Sequence, residues 1–576
     1  MDAEQTVKPT RGDSSMARKR TFLLVLAALC TAGMSVAVAQ AASTGRGHRA
    51  RGTVRWRVRR MSDEVRTTTP IKHLVVIFQE NVSFDHYFGT YPNATNPSGE
   101  PAFYASRRTP SVNGLSGALL TNNPNSGNPQ RLDRSQALTC DQNHDYTAEQ
   151  QAYDMGLMDK FVQFTGNESC SPPDTTAPNL VMDYYDGNTV TGLWNYAQHF
   201  AMSDNSYSTG FGPSTPGAIN VTGANTFGAV CGPSGAVFGA PACTAAAGTA
   251  GATSGSSSPQ WPGTVYSDAD PNFDICSATQ DGSKAADTIQ LGGENIGDRL
   301  DQAGVTWGWF EGGFASPDYV SGQPGTDDLS KVCTGSHKNI GGASQADYSP
   351  HHEPFQYYAS TANPQHLPPT SISMIGRQDQ ANHQYDLKDF WAAADHGNLP
   401  AVSYLKAARY QDGHAGYSDP LDEQTFLTET INHLEWLPSW RSTAVIVLYD
   451  DSDGWYDHQM GPIIYQSQTP LDALTGKGSC GTSPAKVPSG QQARCGVGPR
   501  QPLLVISPFA KRNFVDGTFT DQSSVLRLIE DNWLGGARLG SGAADSDAGT
   551  LENMFSFDHR GNEPLFLDPG TGEPVR

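Results

Sequence analysis

The sequence predicts an α/β protein in which helices cover both faces of a mostly parallel central sheet. Short apolar runs rich in β-branched residues alternate with segments of helical periodicity, which is typical of parallel strands joined by crossover helices. The chain of 576 residues can bury a large core, and its 60 glycines and 38 prolines predict long loop insertions between the regular elements.

The regular elements follow one another from a first strand predicted at residues 73–79. A helix is predicted over 147–164, where apolar residues recur on one face. The low-complexity segment 240–262 predicts a solvent-exposed loop. Three helix-to-strand pairs, one more strand and a late helix complete the series, at 295–310, 386–407, 422–451, 501–509 and 523–534.

The N-terminus has the features of a secretory signal peptide, which we assign to residues 1–41 with Met16 as the true start. A basic region, an apolar stretch and small residues near Ala39 follow Met16 in that order. An uncleaved membrane anchor is the alternative, although the apolar stretch is short for a membrane span. Residues 42–69 then read as a basic, flexible lead-in, and 70–576 as a single domain that no repeat or linker divides. We therefore expect a secreted or periplasmic protein without a stable membrane span.

Basic and acidic residues are unevenly distributed along the chain. The net charge is -21, but residues 1–60 contain 12 Lys and Arg against 3 Asp and Glu, which leaves 26 basic and 56 acidic residues in the remainder. A body this acidic repels the phosphate backbone of nucleic acids. We expect no nucleic-acid partner, and an anionic substrate would need a local positive site.

Eight cysteines lie beyond the predicted signal peptide, and an even number in an exported chain suggests up to four disulfides. Pairing between sequence neighbours would join Cys231 to Cys243 and Cys480 to Cys495, although a sequence does not fix connectivity. No C-x-x-C motif occurs, so a thiolate zinc site is not indicated.

Two predicted strands end alike, with oxygen-bearing side chains directly after an apolar run. Glu80 and Asn81 follow the first strand, and Asp450 and Asp451 follow the run A-V-I-V-L-Y. Parallel strands bring their carboxyl ends to one edge of the sheet, where ligands bind. Three carboxylates meeting there repel one another unless a cation lies between them, and oxygen ligands suit a hard divalent cation. The pattern predicts one divalent metal ion of open identity; the alternative is a set of ordinary helix caps and loop acids.

Further polar groups are candidates for chemistry at that edge. Ser214 lies in a Gly-rich turn before a predicted helix start, where backbone amides bind phosphate or an oxyanion; a plain N-cap is the alternative. No G-x-S-x-G, H-E-x-x-H, P-loop or dinucleotide-binding motif occurs. Polar loops carry histidines suited to phosphate contact or proton transfer, each of which alone also fits an ordinary surface position: His144, His351, His352, His414 and, less directly, His458.

The motifs ENVSFDHYFG, GPSTP, HHEPF, DGHAGYSDP and YDDSDGWYDH occur in this order, and together they resemble the bacterial phosphoesterase family of secreted acid phosphatases and phospholipases C. That family has an alkaline phosphatase-like fold. The motifs run from residue 71 to about 535, nearly the whole predicted mature chain, and the pairing of the first with the last is highly specific.

The resemblance implies a role for each candidate residue. It implies that Glu80 and Asn81, with Asp450 and Asp451, bind one divalent metal ion and that Ser214 is a nucleophile touching that metal. It further implies that four histidines surround the phosphoryl group, namely His144, His351, His352 and His414.

The chain also departs from the usual sequence of the family at several positions. Val82 stands where many members have Arg, and Gly217 stands where the serine motif usually ends in Asn. The segment containing Arg500 is a loose version of the usual one, so the resemblance assigns that residue no firm role. None of these departures removes a predicted metal ligand or the predicted nucleophile.

The reaction expected from the resemblance is hydrolysis of a phosphate ester through a phosphoserine on Ser214, with a protonated histidine donating to the leaving alcohol. A phosphate monoester is the first expected substrate, because the phosphatases of the family tend to use Ser as nucleophile. A phospholipase C cleaving phosphatidylcholine-type diesters is the alternative. A non-catalytic, metal-stabilised binding module is a third hypothesis, and the oligomeric state stays open.

Overall fold

An eight-stranded sheet forms the centre of the computed structural model, which describes residues 66–166, 179–231, 249–251, 263–278, 288–481, 491–558 and 561–575. The predicted signal peptide at 1–41 lies outside the described residues, as does most of the predicted lead-in at 42–69. The described residues belong to one compact unit, Arg59–Arg576. The predicted domain boundary at residue 70 stays a prediction.

The central sheet is parallel except at one strand. In chain order its strands are β1 His73–Gln79, β2 Ala201–Ser203, β3 Trp307–Glu311, β4 Gln384–Asp386, β5 Val402–Lys406, β6 Thr443–Tyr449, β7 Leu503–Ile506 and β8 Phe514–Asp516. Across the sheet they are arranged β4-β3-β5-β1-β6-β7-β2-β8. Only β7 runs antiparallel to its two neighbours, β6 and β2. The prediction of an α/β fold with a mostly parallel sheet is confirmed.

The helices alternate with these strands along much of the chain. They are α1 Phe84–Phe88, α2 Ala118–Thr121, α3 Tyr146–Tyr153, α4 Phe161–Phe164, α5 Thr191–His199, α6 Ser214–Gly223, α7 Ile296–Ala303, α8 Leu387–Asp395, α9 Pro420–Trp436 and α10 Ser523–Trp533. Small sheets lie outside the central one: Phe227–Cys231 with Gly263–Val265, Ile289–Leu291 and Thr249–Gly251; Ser336–Lys338 with Ser344–Ala346; and Ser206–Tyr207 with Thr520–Asp521.

The middle of the sheet is covered on both faces. All seven residues of β1 and all seven of β6 are buried. Successive side chains of a strand point to opposite faces, so complete burial requires packing on each side. Apolar residues of α5, α6, α7, α8, α9 and α10 share one core cluster with these strands. The central strands are thereby held rigidly, and so are the residues that follow them.

Most predicted helix-to-strand pairs are present, and the differences have local causes. The helix predicted over 147–164 breaks after α3, because Asp154 and Met155 adopt left-handed backbone angles, φ 39° and φ 59°. The strands β2, β4 and β8 have three residues each, too few to give a periodic pattern. Within the loop predicted at 240–262, the described residues Thr249–Gly251 form a strand instead.

Two disulfides join described cysteines. The predicted pair Cys480–Cys495 is confirmed. Cys276 pairs with Cys333 across a sequence separation of 57 residues, which pairing between sequence neighbours does not anticipate. Cys243, the predicted partner of Cys231, lies outside the described residues.

Candidate functional site

The ends of β1 and β6 place the predicted acid and amide side chains at one edge of the sheet. The two strands are parallel neighbours, and Gln79 pairs with Tyr449 at their ends. Glu80 and Asp450 therefore leave the sheet side by side. Asn81 has φ 49°, a left-handed conformation that Asn tolerates better than most residues. Its backbone N–H donates to Asp450 Oδ1 over 3.0 Å, which ties the two strand ends together.

Ser214 brings a hydroxyl into the centre of this group. It is the first residue of α6, and its Oγ lies 3.1 Å from Glu80 Oε2, 3.1 Å from Asp451 Oδ2 and 3.5 Å from Asn81 Oδ1. These four residues are at most 2% exposed. A hydroxyl has one hydrogen, so it can donate to only one of the three oxygens at a time. The five residues brought together are named the oxygen cup below: Glu80, Asn81, Ser214, Asp450 and Asp451.

The oxygen cup has the composition of a cation site. Asp450 Oδ2 is buried and has no hydrogen-bond partner within the described part of the chain. Burial, and then the charge of Asp450, raises the pKa of Glu80 and of Asp451 well above the ordinary carboxyl range. These shifts reflect the cost of holding carboxylates together without enough positive charge. Carboxylate, amide and hydroxyl oxygens are ligands of hard divalent cations, so the residues fit the predicted metal ion.

A buried lysine that the sequence analysis missed lies at the same edge. β5 pairs in parallel with β1, with Leu405 opposite Ile77, so Lys406 ends β5 beside the cup. Its side chain is 1% exposed; Nζ contacts Glu80 Oε1 and lies 3.9 Å from Asp450 Oδ2. Burial acts to lower the pKa of Lys406, but the carboxylates of Glu80, Asp450 and Asp412 outweigh it, so the ammonium stays charged. The available signal was a lysine directly after V-S-Y-L in a predicted sheet strand.

Two adjacent histidines lie on the Glu80 side of the oxygen cup. His352 is buried, and its Nδ1 lies 3.5 Å from Glu80 Oε1. Burial and then the charge of Lys406 lower the pKa of His352 well below its ordinary value, so the ring is neutral. His351 stands edge-on to His352, with ring centroids 4.5 Å apart, and its Nδ1 lies 3.4 Å from Asp270 Oδ1.

The other two predicted histidines lie together on the Asp451 side. His144 Nδ1 is 3.3 Å from Asp453 Oδ1, and the ring centroids of His144 and His414 are 5.9 Å apart. Burial acts to lower the pKa of His144, but Asp451 and Asp453 raise it well above its ordinary value. Burial is the main cause that lowers the pKa of His414, which stacks on Tyr417, to about 4. A protonated histidine therefore stands beside a neutral one.

The histidines differ in how close they lie to solvent. The side chains of His144 and His351 are 14% and 17% exposed, whereas that of His352 is 2% exposed. The structure thus brings the five cup residues together directly and arranges the four histidines in two pairs around them. In each pair, one ring is the more accessible from outside.

One known protein family matches the part of the chain that carries this site. The model of the Phosphoesterase family matches residues 71–534, which include the oxygen cup and all four histidines. The chain belongs to the Phosphoesterase family. The resemblance inferred from the ordered motifs is therefore confirmed.

Curated relatives match shorter parts of the chain. A non-hemolytic phospholipase C of Pseudomonas aeruginosa is 29% identical over 31% of this chain and 26% of the relative. One of Burkholderia pseudomallei is 27% identical over 41% of this chain and 29% of the relative, and phospholipase C A of Mycobacterium tuberculosis is 26% identical over 32% and 35%. Each match thus spans roughly a quarter to a third of the relative's length. A solved protein of the alkaline phosphatase superfamily from Vibrio parahaemolyticus is 12% identical, covering 63% of this chain and 65% of that chain, with a TM-score of 0.26, too low for any inference.

The surroundings of Gly217 and Val82, where the chain departs from the usual family sequence, show what each residue contacts. A Cβ at Gly217 would lie 2.3 Å from the backbone oxygen of Asp450, so the glycine lets α6 approach the end of β6. All ten residues of α6 are buried. Val82 is buried as well, and its backbone N–H donates to the Asp451 carbonyl over 2.9 Å.

Arg500 and His458 belong to an ion network separate from the oxygen cup. Arg500 Nε lies 3.1 Å from Asp457 Oδ2, and its Nη2 lies 3.1 Å from Asp85 Oδ1. His458 Nδ1 lies 2.6 Å from Asp85 Oδ2. Asp85 lies in α1, just after β1, and Asp457 lies in the segment after β6. The network therefore joins the two segments of chain that carry the cup.

Replacing Gly217 with Ala should lower the free energy of unfolding by about 1–3 kcal/mol, because the added methyl cannot fit against the Asp450 carbonyl. Urea unfolding followed by circular dichroism measures the change. Gly292→Ala is the matched control, since a Cβ there meets nothing within 4 Å, and it should change stability by at most about 0.5 kcal/mol. Equal losses in the two variants would show that α6 does not depend on this contact.

Replacing Arg500 with Met should destabilise the protein by about 3–5 kcal/mol, because two buried carboxylates lose their shared cation. Arg299→Met serves as the comparison: Arg299 pairs with Glu294 over 2.8 Å, but both side chains are partly exposed, so the loss should stay below about 1 kcal/mol. Both are measured by urea unfolding. A small loss for Arg500→Met would mean that the network does not hold these segments.

Proposed function

We propose that this chain hydrolyses phosphoric esters, with Ser214 as the nucleophile and one divalent metal ion in the oxygen cup. The observation that carries the proposal is the position of Ser214 Oγ, which lies within 3.5 Å of three oxygen atoms of the cup at the N-terminus of α6. Membership of the Phosphoesterase family supports the same class of reaction.

The metal ion would be held by the residues of the oxygen cup, whose oxygen ligands leave its identity open. When bound there, a divalent cation supplies positive charge that favours the Ser214 alkoxide and offsets the charge of the phosphoryl oxygens. The remaining steps fall to the side chains and backbone of the chain itself.

In the first step, the deprotonated Ser214 Oγ attacks phosphorus and the bond from phosphorus to the leaving oxygen breaks. The N-terminus of α6 carries partial positive charge, which favours an anionic group held at Ser214. His144, which is protonated beside Asp451 and Asp453, donates its proton to the leaving alcohol.

In the second step, water attacks the phosphoserine and Ser214 leaves. His144, now neutral, accepts the proton of the attacking water, since the acid of one step acts as the base of the next. His352 has a lowered pKa and stays neutral, so its ring can donate one N–H to a phosphoryl oxygen. His414 is neutral as well, but its Nδ1–H donates to the Ala415 carbonyl over 2.5 Å, which leaves its Nε2 as a hydrogen-bond acceptor. His351, at the more exposed end of its pair, would meet the substrate first.

Two substrate classes have support. The names of the bacterial relatives, all phospholipases C, favour a phospholipid phosphodiester. A phosphate monoester is supported by serine at position 214, the residue that phosphatases of the family tend to use. Both substrates would react at the same Ser214 and differ in the group that leaves.

Export from the cytoplasm is a further part of the proposal. It is supported by the disulfides Cys276–Cys333 and Cys480–Cys495 and by the signal peptide predicted at residues 1–41. No helix within the described residues combines the length and the apolar character that a bilayer span requires. The acidic charge of the chain argues against a nucleic-acid partner.

Replacing Ser214 with Ala should lower the hydrolysis rate about a thousandfold or more, because the covalent step loses its nucleophile. Purified protein is assayed on p-nitrophenyl phosphate and on phosphatidylcholine micelles, with and without a chelator. Ser373→Ala, at an exposed serine, is the control and should retain the rate of the parent protein.

The outcomes of that assay separate the hypotheses. Turnover of the micelles supports the phospholipase C substrate, and turnover of the nitrophenyl ester alone supports the monoester. Bound metal without turnover of either would identify a binding module. Full activity in Ser214→Ala would refute the phosphoserine route.

A further inference from the structure

Glu149 joins the two segments of chain that meet at Ser214. It lies in α3, is 1% exposed, and uses one carboxylate oxygen for each segment. Its Oε2 accepts the backbone N–H of Gly212 over 2.9 Å, two residues before the serine. Its Oε1 accepts the hydroxyl of Ser452 over 2.7 Å, directly after Asp451. A single carboxylate thus holds both the turn of the nucleophile and the segment that follows β6.

A second carboxylate, that of Asp268, holds the same turn from the other side of the serine. Its Oδ1 accepts the backbone N–H of Thr215 over 2.9 Å. Pro213 and Pro216 have no backbone N–H to donate. The bonds from Gly212 and Thr215 to carboxylates of other segments therefore fix the turn on each side of the serine.

The helix that carries Glu149 is anchored by contacts outside the oxygen cup. The Tyr146 hydroxyl donates to Asp472 Oδ1 over 2.6 Å, and Gln150 Oε1 accepts a backbone N–H of the same segment over 2.9 Å. This helix begins two residues after His144, the proposed proton donor. α3 therefore links the nucleophile, through Glu149, to the part of the chain that carries the acid.

We propose that Glu149 is a positioning residue for the nucleophile. Its two hydrogen bonds set the separation between the turn before α6 and the segment after β6. They thereby keep Ser214 Oγ at 3.1 Å from Asp451 Oδ2. This role rests on the proposed function, because Ser214 must be the nucleophile for it, and it adds a residue outside the oxygen cup and the histidines on which the rate depends.

The role requires a side chain of the right length with two polar atoms, rather than a charge. Aspartate is shorter by one methylene, about 1.5 Å, and cannot reach both partners. Glutamine has the length of glutamate, and its oxygen can accept the Gly212 N–H while its amide group donates to Ser452 Oγ. Alanine makes neither bond. Three substitutions at this one position therefore separate geometry from charge.

Steady-state hydrolysis of whichever substrate the parent protein turns over, p-nitrophenyl phosphate or phosphatidylcholine, measures the effect. Glu149→Ala and Glu149→Asp should lower kcat about a hundredfold with little change in KM, since a nucleophile misplaced by about 1 Å costs that much. Glu149→Gln keeps both bonds and should recover kcat to within about threefold of the parent value.

Measurement in the Ser214→Ala background separates positioning from a general loss of stability. A residue that acts through the serine hydroxyl loses its effect once that hydroxyl is absent. Adding Glu149→Ala to Ser214→Ala should therefore change the residual rate, assayed at high enzyme concentration, by less than about twofold. A merely destabilising substitution would lower the rate equally in both backgrounds.

Glu435→Ala is the matched control for the loss of a buried glutamate. Glu435 is 5% exposed and lies on α9, and its carboxylate accepts the backbone N–H of Leu565 over 3.0 Å. Urea unfolding should show a loss of stability in this variant as in Glu149→Ala. Its kcat should stay at the parent value, because its bond does not lead to the serine.

The proposal is wrong if folded Glu149→Ala keeps the kcat of the parent protein, or if its effect is undiminished in the Ser214→Ala background. A loss in Glu149→Gln as large as in Glu149→Ala also contradicts it, because charge would then matter rather than the two bonds. Where Glu149→Ala fails to fold, Ser452→Ala removes one bond and should lower kcat about tenfold; an unchanged kcat overturns the proposal. Full activity in Ser214→Ala would instead refute the proposed function.

Discussion

Buried negative charge at the carboxyl edge of the sheet is the constraint on which the rest of the site depends. Glu80, Asp450 and Asp451 are each at most 1% exposed, and each lies within two residues of a strand end. Because β1 and β6 are parallel neighbours, the fold cannot separate these carboxylates. Burying unpaired charges costs several kcal/mol per group. The edge is therefore stable only where positive charge is supplied, and every nearby feature can be understood by how it contributes to that balance.

The charged groups of the site lie on rigid elements of the fold, whereas the histidines lie on loops. β1, β5 and β6 lie next to one another in a sheet packed on both faces, so the cup and Lys406 have fixed positions. α6 adds the positive end of its dipole and its first hydroxyl, and Gly217 lets it come close enough to do so. His144 and His414 lie on connecting segments, where small movements cost less. Charge is thus fixed by the sheet, while proton transfer is left to groups that can adjust to a substrate.

Sequence reasoning succeeded where the signal was local. The strand at 73–79, the acids after two apolar runs and the turn before α6 each depend on neighbouring residues, and all were predicted with their positions. Lys406 was missed because a lysine after a strand is ordinarily solvated, and only the register of β5 against β1 reveals its burial. The break after α3 was missed because apolar spacing continues across it, although Gly156, which follows the left-handed Asp154 and Met155 with φ 93°, was a local signal for it.

The network around Arg500 shows what distinguishes a structural cluster of charges from a functional one. Asp85 and Asp457 are as buried as the acids of the cup, and they also follow the same two strands. Each has a close cationic partner, since one guanidinium contacts both and His458 contacts Asp85. A planar guanidinium satisfies two carboxylates at once and leaves little charge for a ligand. Beside the cup, Lys406 is shared among several acids, and Asp450 Oδ2 accepts no hydrogen bond from the described residues. Residual charge, rather than the number of acidic residues, therefore marks the place where a cation and an anionic substrate can meet.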